Sequence, residues 1–255
     1  MRILIVNPNT TGSMTRKLHD AALRIAAPGT EIVAVNPDFG PASIEGYYDE
    51  AFAVPGLIAE IGKAPDMDAY IVACFDDTGL DAARCFAGAP VVGIGEAAFH
   101  MASLVAGKFS VVTTLSRSIP AIEHNLVRYG LASRCARVRA SEVPVLALEE
   151  PGSPARGKLS AEIVRAIAED SCEAIVLGCA GMADLAQSLA EEHGLPVIEG
   201  VAAAVKLCEG LVALGLRTSK RGGYAAPLPK PYTGEFARFA AGVEPAASKR
   251  KRRNT

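Results

Sequence analysis

The feature that most narrows the fold is an internal repeat with a period of 105 to 106 residues. Ala69 to Ala73 is an apolar run that delivers Cys74 to a polar turn. Ala174 to Gly178 is a second such run and delivers Cys179, 105 positions further on (74 to 179). Other landmarks recur 106 apart. Arg2-Ile3-Leu4-Ile5-Val6-Asn7 answers Lys108-Phe109-Ser110-Val111-Val112-Thr113 (2 to 108). Pro90-Val91-Val92 answers Pro196-Val197-Ile198, and Ala97-Ala98 answers Ala203-Ala204. Self-similarity at a fixed interval marks a repeated supersecondary unit. Short continuous apolar runs alternating with helical stretches mark buried parallel strands in an α/β layer. The expected fold is therefore α/β: two pseudo-symmetric lobes, each with a mainly parallel sheet flanked by helices. A chain of 255 residues, half of them hydrophobic, has enough apolar mass for two lobes of about a hundred residues each.

In open α/β sheets the ligand crevice lies beyond the carboxyl ends of the strands. Cys74 and Cys179 are both expected there, each close to the amino end of a following helix, Asp184 to His193 in the second unit. Such an end carries partial positive charge and unpaired N–H groups, which favour a thiolate. Asp76, Asp77 and Asp81 follow Cys74. They read as helix-dipole partners, and a carboxylate beside a thiolate would raise its pKa. The turns after the strand ends supply further candidates. Asn7 to Ser13 combines turn and helix-cap chemistry with side chains that can meet a ligand. Thr113-Thr114 is its counterpart, and the loop 36–46, rich in Pro and Gly, carries Ser43-Ile44. Elsewhere, Tyr47 to Lys63 reads as a helix kinked or broken at Pro55. Glu96 to Ala106 reads as a helix crossing between lobes, and residues 134–149 as an irregular strand region.

The remaining cysteines, Cys85, Cys135, Cys172 and Cys208, read as small buried hydrophobes. No cysteine pair has C-x-x-C spacing and no histidine clusters with them, so a zinc site is unsupported. No G-x-G-x-x-G joins a strand to a helix. The chain is expected to use neither metal nor cofactor. A net charge of −2 gives no pull toward nucleic acid. No apolar run reaches the roughly 18 residues of a membrane span. Met1-Arg2 leads into a strand rather than a signal peptide, so a cytoplasmic location, without disulfides, is expected. The basic run Lys249 to Arg253 reads as a solvated, dispensable end.

Two thiols facing one another across a cleft suit inversion of a carbon that bears an acidic hydrogen. One thiolate removes the proton from one face, and the other thiol returns a proton to the opposite face. Backbone N–H groups at the turns can stabilise the oxygen that takes up the negative charge.

The residues that carry this pattern resemble a known family. They are Asn7-Pro8-Asn9-Thr10, Gly40-Pro41 with Ser43-Ile44-Glu45, Cys74-Phe75-Asp76-Asp77 with Gly79-Leu80-Asp81, Pro90-Val91-Val92-Gly93-Ile94, Val111-Val112-Thr113-Thr114, Leu177-Gly178-Cys179-Ala180-Gly181-Met182 and Pro196-Val197-Ile198-Glu199-Gly200-Val201. Together they are similar to the aspartate/glutamate/hydantoin racemase superfamily, and most of all to its hydantoin and allantoin racemase branch. The resemblance implies cofactor-independent racemisation by Cys74 and Cys179 in a cleft between the lobes, with the C-terminal helix returning to the first lobe. The implied division is 1–97 plus about 205–235 for lobe 1, 98–204 for lobe 2, and 236–255 as a disordered basic tail. It also implies a homo-oligomer. The substrate-binding candidates are Asn9, Ser43, Ile44, Phe75 and Asp76 from the first unit and Thr113, Thr114, Ala180 and Gly181 from the second.

The Cys-Phe-Asp-Asp and Cys-Ala-Gly-Met motifs depart from those of the amino-acid racemases, which lowers aspartate and glutamate as substrates. A 5-substituted hydantoin is a neutral cyclic diamide whose carbonyls need no arginine, and none of the cysteine or turn motifs contains one. Allantoin, the same ring with a ureido group, is the alternative. Its side chain or the hydantoin's would meet Phe75, Tyr47 or Met182. Maleate isomerases and arylmalonate decarboxylases are lesser alternatives by resemblance. A non-catalytic small-molecule sensor is a rival of another class.

Overall fold

The computed structural model describes residues 1–150 and 152–240. The basic run and most of the expected tail lie outside the described residues. Two four-stranded parallel sheets form the frame. The first has strands β1 (Arg2–Val6), β2 (Glu31–Val35), β3 (Ala69–Val72) and β4 (Val91–Gly93) in the order β2-β1-β3-β4. The second has β5 (Phe109–Thr113), β6 (Cys135–Ala140), β7 (Ala174–Gly178) and β8 (Val197–Ile198) in the order β6-β5-β7-β8. The two orders are the same, unit for unit, as the repeat requires. Both sheets are parallel throughout.

The strands are buried on both faces, which explains their continuous apolar reading. Ile3, Ile5, Ala69 and Ile71 point inward and join Phe109, Val111, Ala174 and Val176 of the other sheet in one shared core. Leu4, Val6, Tyr70 and Val72 face outward onto α2 (Tyr47–Lys63) and α3 (Leu80–Phe86). Ile175 and Leu177 do the same onto α6 (Ala155–Asp170) and α7 (Ala186–His193).

Two helices are exchanged between the halves. Helix α4 (Ile94–Val105) leaves the end of β4 and packs on β7, while α8 (Gly200–Ala213) leaves the end of β8 and packs on α1 (Gly12–Ile25), β3 and β4. They cross at their first residues, where a side chain at Gly200 would run into the backbone of Ile94. The chain after α8 lies along the first half. Lys220 Nζ donates to the Cys85 carbonyl at 3.2 Å, and the Tyr224 hydroxyl to Asp81 at 3.1 Å. Residues 236–240, expected in the disordered tail, finish a helical turn, with Arg238 4.5 Å from the centre of the Phe39 ring.

Three other local expectations differ from what forms. Pro55 sits inside an unbroken α2. The region 134–149 contains a strand, β6, whose pairing with β5 shifts register between Phe109 and Ser110, and the expected strand region ends in a short helical turn at Val145–Leu148. Charged Arg137 and Arg139 interrupt its apolar pattern. Arg139 is tolerated at 5% exposure because Asp170, Glu162 and Glu169 surround its guanidinium. After Cys179 comes a helical turn at Ala180–Met182, and α7 starts only at Ala186.

Candidate active site

The carboxyl ends of β1, β3, β5 and β7 converge on one narrow cleft that opens to solvent. Cys74 and Cys179 both line it. Around them are Asn9, Ile44, Phe75, Asp76, Thr113, Thr114 and Ala180. Ser43 and Gly181 are not on its wall. Tyr47 is exposed on α2, with its hydroxyl 3.2 Å from His124. Met182 is wholly buried in the outer core of the second sheet. Met14, Ala73, Ser118, Val145 and Gly178 line the cleft without having been singled out. Ser118 had a readable signal: it precedes Ile119-Pro120, a helix start just after a strand end. Val145 had none, since a loop folding back from the edge of the sheet brings it there.

A backbone N–H two residues on, that of Asp76 for Cys74 and that of Gly181 for Cys179, favours each thiolate. The Thr78 hydroxyl also donates to Cys74 Sγ at 3.4 Å. Neither thiol has the lowered pKa expected from a helix end. Burial pushes Cys74 well above the ordinary thiol value, and the Asp76 carboxyl adds to it. Burial pushes Cys179 up to about 12, with Gly181 N–H and the Lys17 ammonium pulling the other way. The physical reason is local. A short turn follows Cys179, and α3 begins six positions after Cys74 (74 to 80), so neither sulfur sits at the end of a long helix dipole.

The polar groups fall into anchored and available sets. Asn7 Nδ2 donates to Asn9 Oδ1 at 2.9 Å, and Asn9 Oδ1 also accepts from Thr11 N–H at 2.9 Å. Asn9 Nδ2 meets only the Met14 sulfur at 3.6 Å, which leaves a donor for a ligand. The Thr113 hydroxyl is committed to the Gly178 carbonyl at 2.8 Å, where it braces the strand end before Cys179. Thr114 is buried, and among the described residues its hydroxyl has no protein partner. The Asp76 carboxyl is pushed up to about 8 by burial, then by Glu50 and Asp77, so at neutral pH it is mostly protonated and can donate.

Contacts from each half secure the other. Lys17 on α1 donates to the carbonyls of Leu148 and Gly181, both at 3.3 Å, and pairs with Glu149 at 2.9 Å. Asn125 on α5 (Ile119–Arg128) donates to the Asp76 carbonyl at 2.8 Å. Over the cleft, Val145 N–H donates to Glu45 Oε1 at 2.9 Å and joins the loop after β2 to the loop after β6. Among the described residues no group of three or more His, Cys, Asp or Glu is placed to hold a metal ion, and no helix is long and apolar enough to cross a membrane.

Fold and site together define a duplicated α/β protein with two like-positioned thiols in one cleft between its halves. The chain belongs to the Asp/Glu/Hydantoin racemase family, which it matches over residues 3–208. It is 50% identical over 236 residues to the hydantoin racemase of Rhizobium meliloti, covering 92% of this chain and 98% of that one. Among solved structures it is similar to the allantoin racemase from Klebsiella pneumoniae, at 49% identity and TM-score 0.90, covering 93% of this chain and 98% of that one. It is also similar to the allantoin racemase from Pseudomonas fluorescens, at 44% identity and TM-score 0.88, covering 92% and 100%.

Proposed function

We propose that the protein racemises 5-substituted hydantoins at C5 by a two-base mechanism, with Cys74 and Cys179 as the bases. The observation that carries this reading is the pair of thiols lining one cleft, Cys74 just after β3 of one half and Cys179 at the end of β7 of the other. One cysteine, as thiolate, takes the C5 proton and becomes a thiol. The electron pair spreads into the adjacent ring carbonyl. The other cysteine gives its S–H proton to the opposite face and becomes the thiolate. The product is the mirror image, and the protonation of the pair is reversed, ready for the other hand. Burial makes either thiolate a stronger base once it forms, while the N–H groups two residues on keep it accessible. Asn9 Nδ2, the Thr114 hydroxyl and the protonated Asp76 carboxyl are the donors proposed for the ring carbonyls. Ile44, Val145 and Met14 are the apolar surface proposed for the C5 substituent.

Replacing either cysteine by serine tests the assignment. Both Cys74→Ser and Cys179→Ser are expected to abolish racemisation. Each should still exchange the C5 hydrogen of one enantiomer for deuterium, and the two should prefer opposite enantiomers. Proton NMR of enantiopure substrate in D2O reads this. Exchange of the same enantiomer by both variants, or near-normal racemisation by either, would refute it.

Allantoin is the second reading, supported by the two solved relatives that carry that name. Loss of circular dichroism from enantiopure allantoin and from a 5-alkyl hydantoin, compared as kcat/KM, decides between them. We further propose a cytoplasmic homo-oligomer. Tyr48 and Phe52 on α2, 74% and 56% exposed, form an apolar patch of the kind that subunit contacts cover. Sedimentation of the purified chain as a monomer would remove that proposal.

A further inference from the structure

The two units cap their exchanged helices differently. In the second unit Glu199 precedes α8, and its own carboxylate accepts from Val201 N–H at 2.7 Å and Ala202 N–H at 2.6 Å. The position equivalent to Glu199 in the first unit is Gly93, which has no side chain to offer (93 to 199). The equivalent N–H groups of α4, those of Gly95 and Glu96, are taken instead by Asp77. Asp77 Oδ1 accepts from Gly95 at 3.0 Å and Oδ2 from Glu96 at 2.8 Å. The Tyr129 hydroxyl, just beyond α5, donates to the same Oδ2 at 2.8 Å.

Asp77 belongs to the turn that presents Cys74. Its own N–H donates to the Cys74 carbonyl at 3.0 Å, and its backbone has φ +52°, a conformation L residues adopt only when held. The carboxylate is 4% exposed. A Cβ at Gly93 or Gly95 would strike it, so the two glycines are the space that it fills. In the second unit the matching turn position is Met182, an apolar residue in the outer core (77 to 182). The Cys179 turn therefore lacks this carboxylate tie; what reaches it from the other half is Lys17, on the Gly181 carbonyl.

We infer that Asp77 is a positioning residue for Cys74 alone: it pins the Cys74 turn to the amino end of α4 and to Tyr129 of the other half, whereas the Cys179 turn is held by Lys17 and not by a carboxylate. This rests on the two-cysteine reading above. A misplacement of about 1 Å in a reacting group costs roughly 100-fold in rate, so loosening this tie should weaken the half-reaction that Cys74 performs.

Steady-state racemisation cannot separate the half-reactions. The two enantiomers have equal free energy, so kcat/KM in both directions must fall together. Deuterium exchange in single-cysteine backgrounds does separate them. Tyr129→Phe, which removes one donor and keeps the ring, and Asp77→Asn are each placed in the full chain carrying Cys179→Ser or Cys74→Ser. In the Cys179→Ser background, where Cys74 acts alone, exchange should fall about tenfold with Tyr129→Phe and roughly 30-fold or more with Asp77→Asn. In the Cys74→Ser background the loss should be at least five times smaller. Equal losses in both backgrounds, or no loss in either, would overturn the inference. Tyr129→Phe keeps the test decisive if Asp77→Asn does not fold. If the parent serine variants fail to split the enantiomers, the two-cysteine reading itself fails, and this inference falls with it before Asp77 is touched.

Discussion

Asp76→Asn is the most informative single change, because Asp76 lines the cleft with both thiols and has its pKa displaced by burial. In the unfolded chain the group titrates near 3.8, and in the folded chain at about 8. Below pH 4 it is neutral in both states, and folding is insensitive to it. Between pH 4 and pH 8 the unfolded chain has released the proton and the folded chain keeps it. Stability therefore falls as pH rises through this window, and the full penalty stands above pH 8. At 1.36 kcal/mol per pH unit, the interval corresponds to an upper bound of about 6 kcal/mol. The carboxyl is partly open on the cleft side and solvent screens it, so about 3 kcal/mol is the working figure. Asparagine keeps the shape and cannot ionise. The variant should match the wild type at pH 3 and exceed it by about 3 kcal/mol at pH 9. The assay is urea unfolding at half-unit steps of pH, with the two proteins compared as a difference. Asp77, with its carboxyl at about 7, and Glu199 at about 6 also make stability fall with pH, but they are present in both proteins. Removing the Asp76 charge should also let iodoacetamide label Cys74 and Cys179 faster at pH 9. Parallel stability curves for variant and wild type across pH 3 to 9 would refute the reasoning.

Lys17→Met removes the cation that holds the Gly181 and Leu148 carbonyls and favours the Cys179 thiolate. It should lower kcat by about tenfold and move the alkaline rise of kcat/KM to higher pH, read from a pH–rate profile; an unchanged profile would show that Lys17 serves only structure. Racemisation should survive exhaustive chelation with no added metal, as the absence of any ligand cluster in the sequence leads one to expect; activity that is lost on chelation and restored only by metal would contradict it.

The fold was legible because its signal is redundant. The central strands are covered on both faces, so Ile3 to Val6, Ala69–Val72, Phe109–Thr113 and Ala174–Gly178 read as mainly apolar runs, and duplication states the pattern twice. Strand β6 was read as a strand region but not bounded, because Arg139 is held by carboxylates on α6 that lie 23 to 31 positions away and have no local imprint. The cysteines were legible from strand-end position alone. Their pKa direction was not, since it depends on burial and on how far the helices begin beyond them. The apolar wall of the cleft was only half visible. Ile44 belongs to a motif, whereas Val145 arrives through the return of a loop that carries no pattern. Asp77 read as an ordinary helix-dipole partner. Its partner proved to be α4, and the clue was Gly93 standing where the second unit has Glu199.

The exchange of α4 and α8 also limits how the halves can move. Because each sheet is covered by a helix that issues from the other, parting the halves would tear Phe99, Ala102, Val201 and Val205 out of their common core. Jaw-like motion is therefore closed to this molecule. The loops after β2 and β6, by contrast, are joined over the cleft by the bond from Val145 N–H to Glu45. A hydrogen bond to a charged group contributes roughly 2 kcal/mol, far less than the core that α4 and α8 share, so the interlocked helices hold the two strand ends that carry Cys74 and Cys179 more firmly than this contact across the cleft.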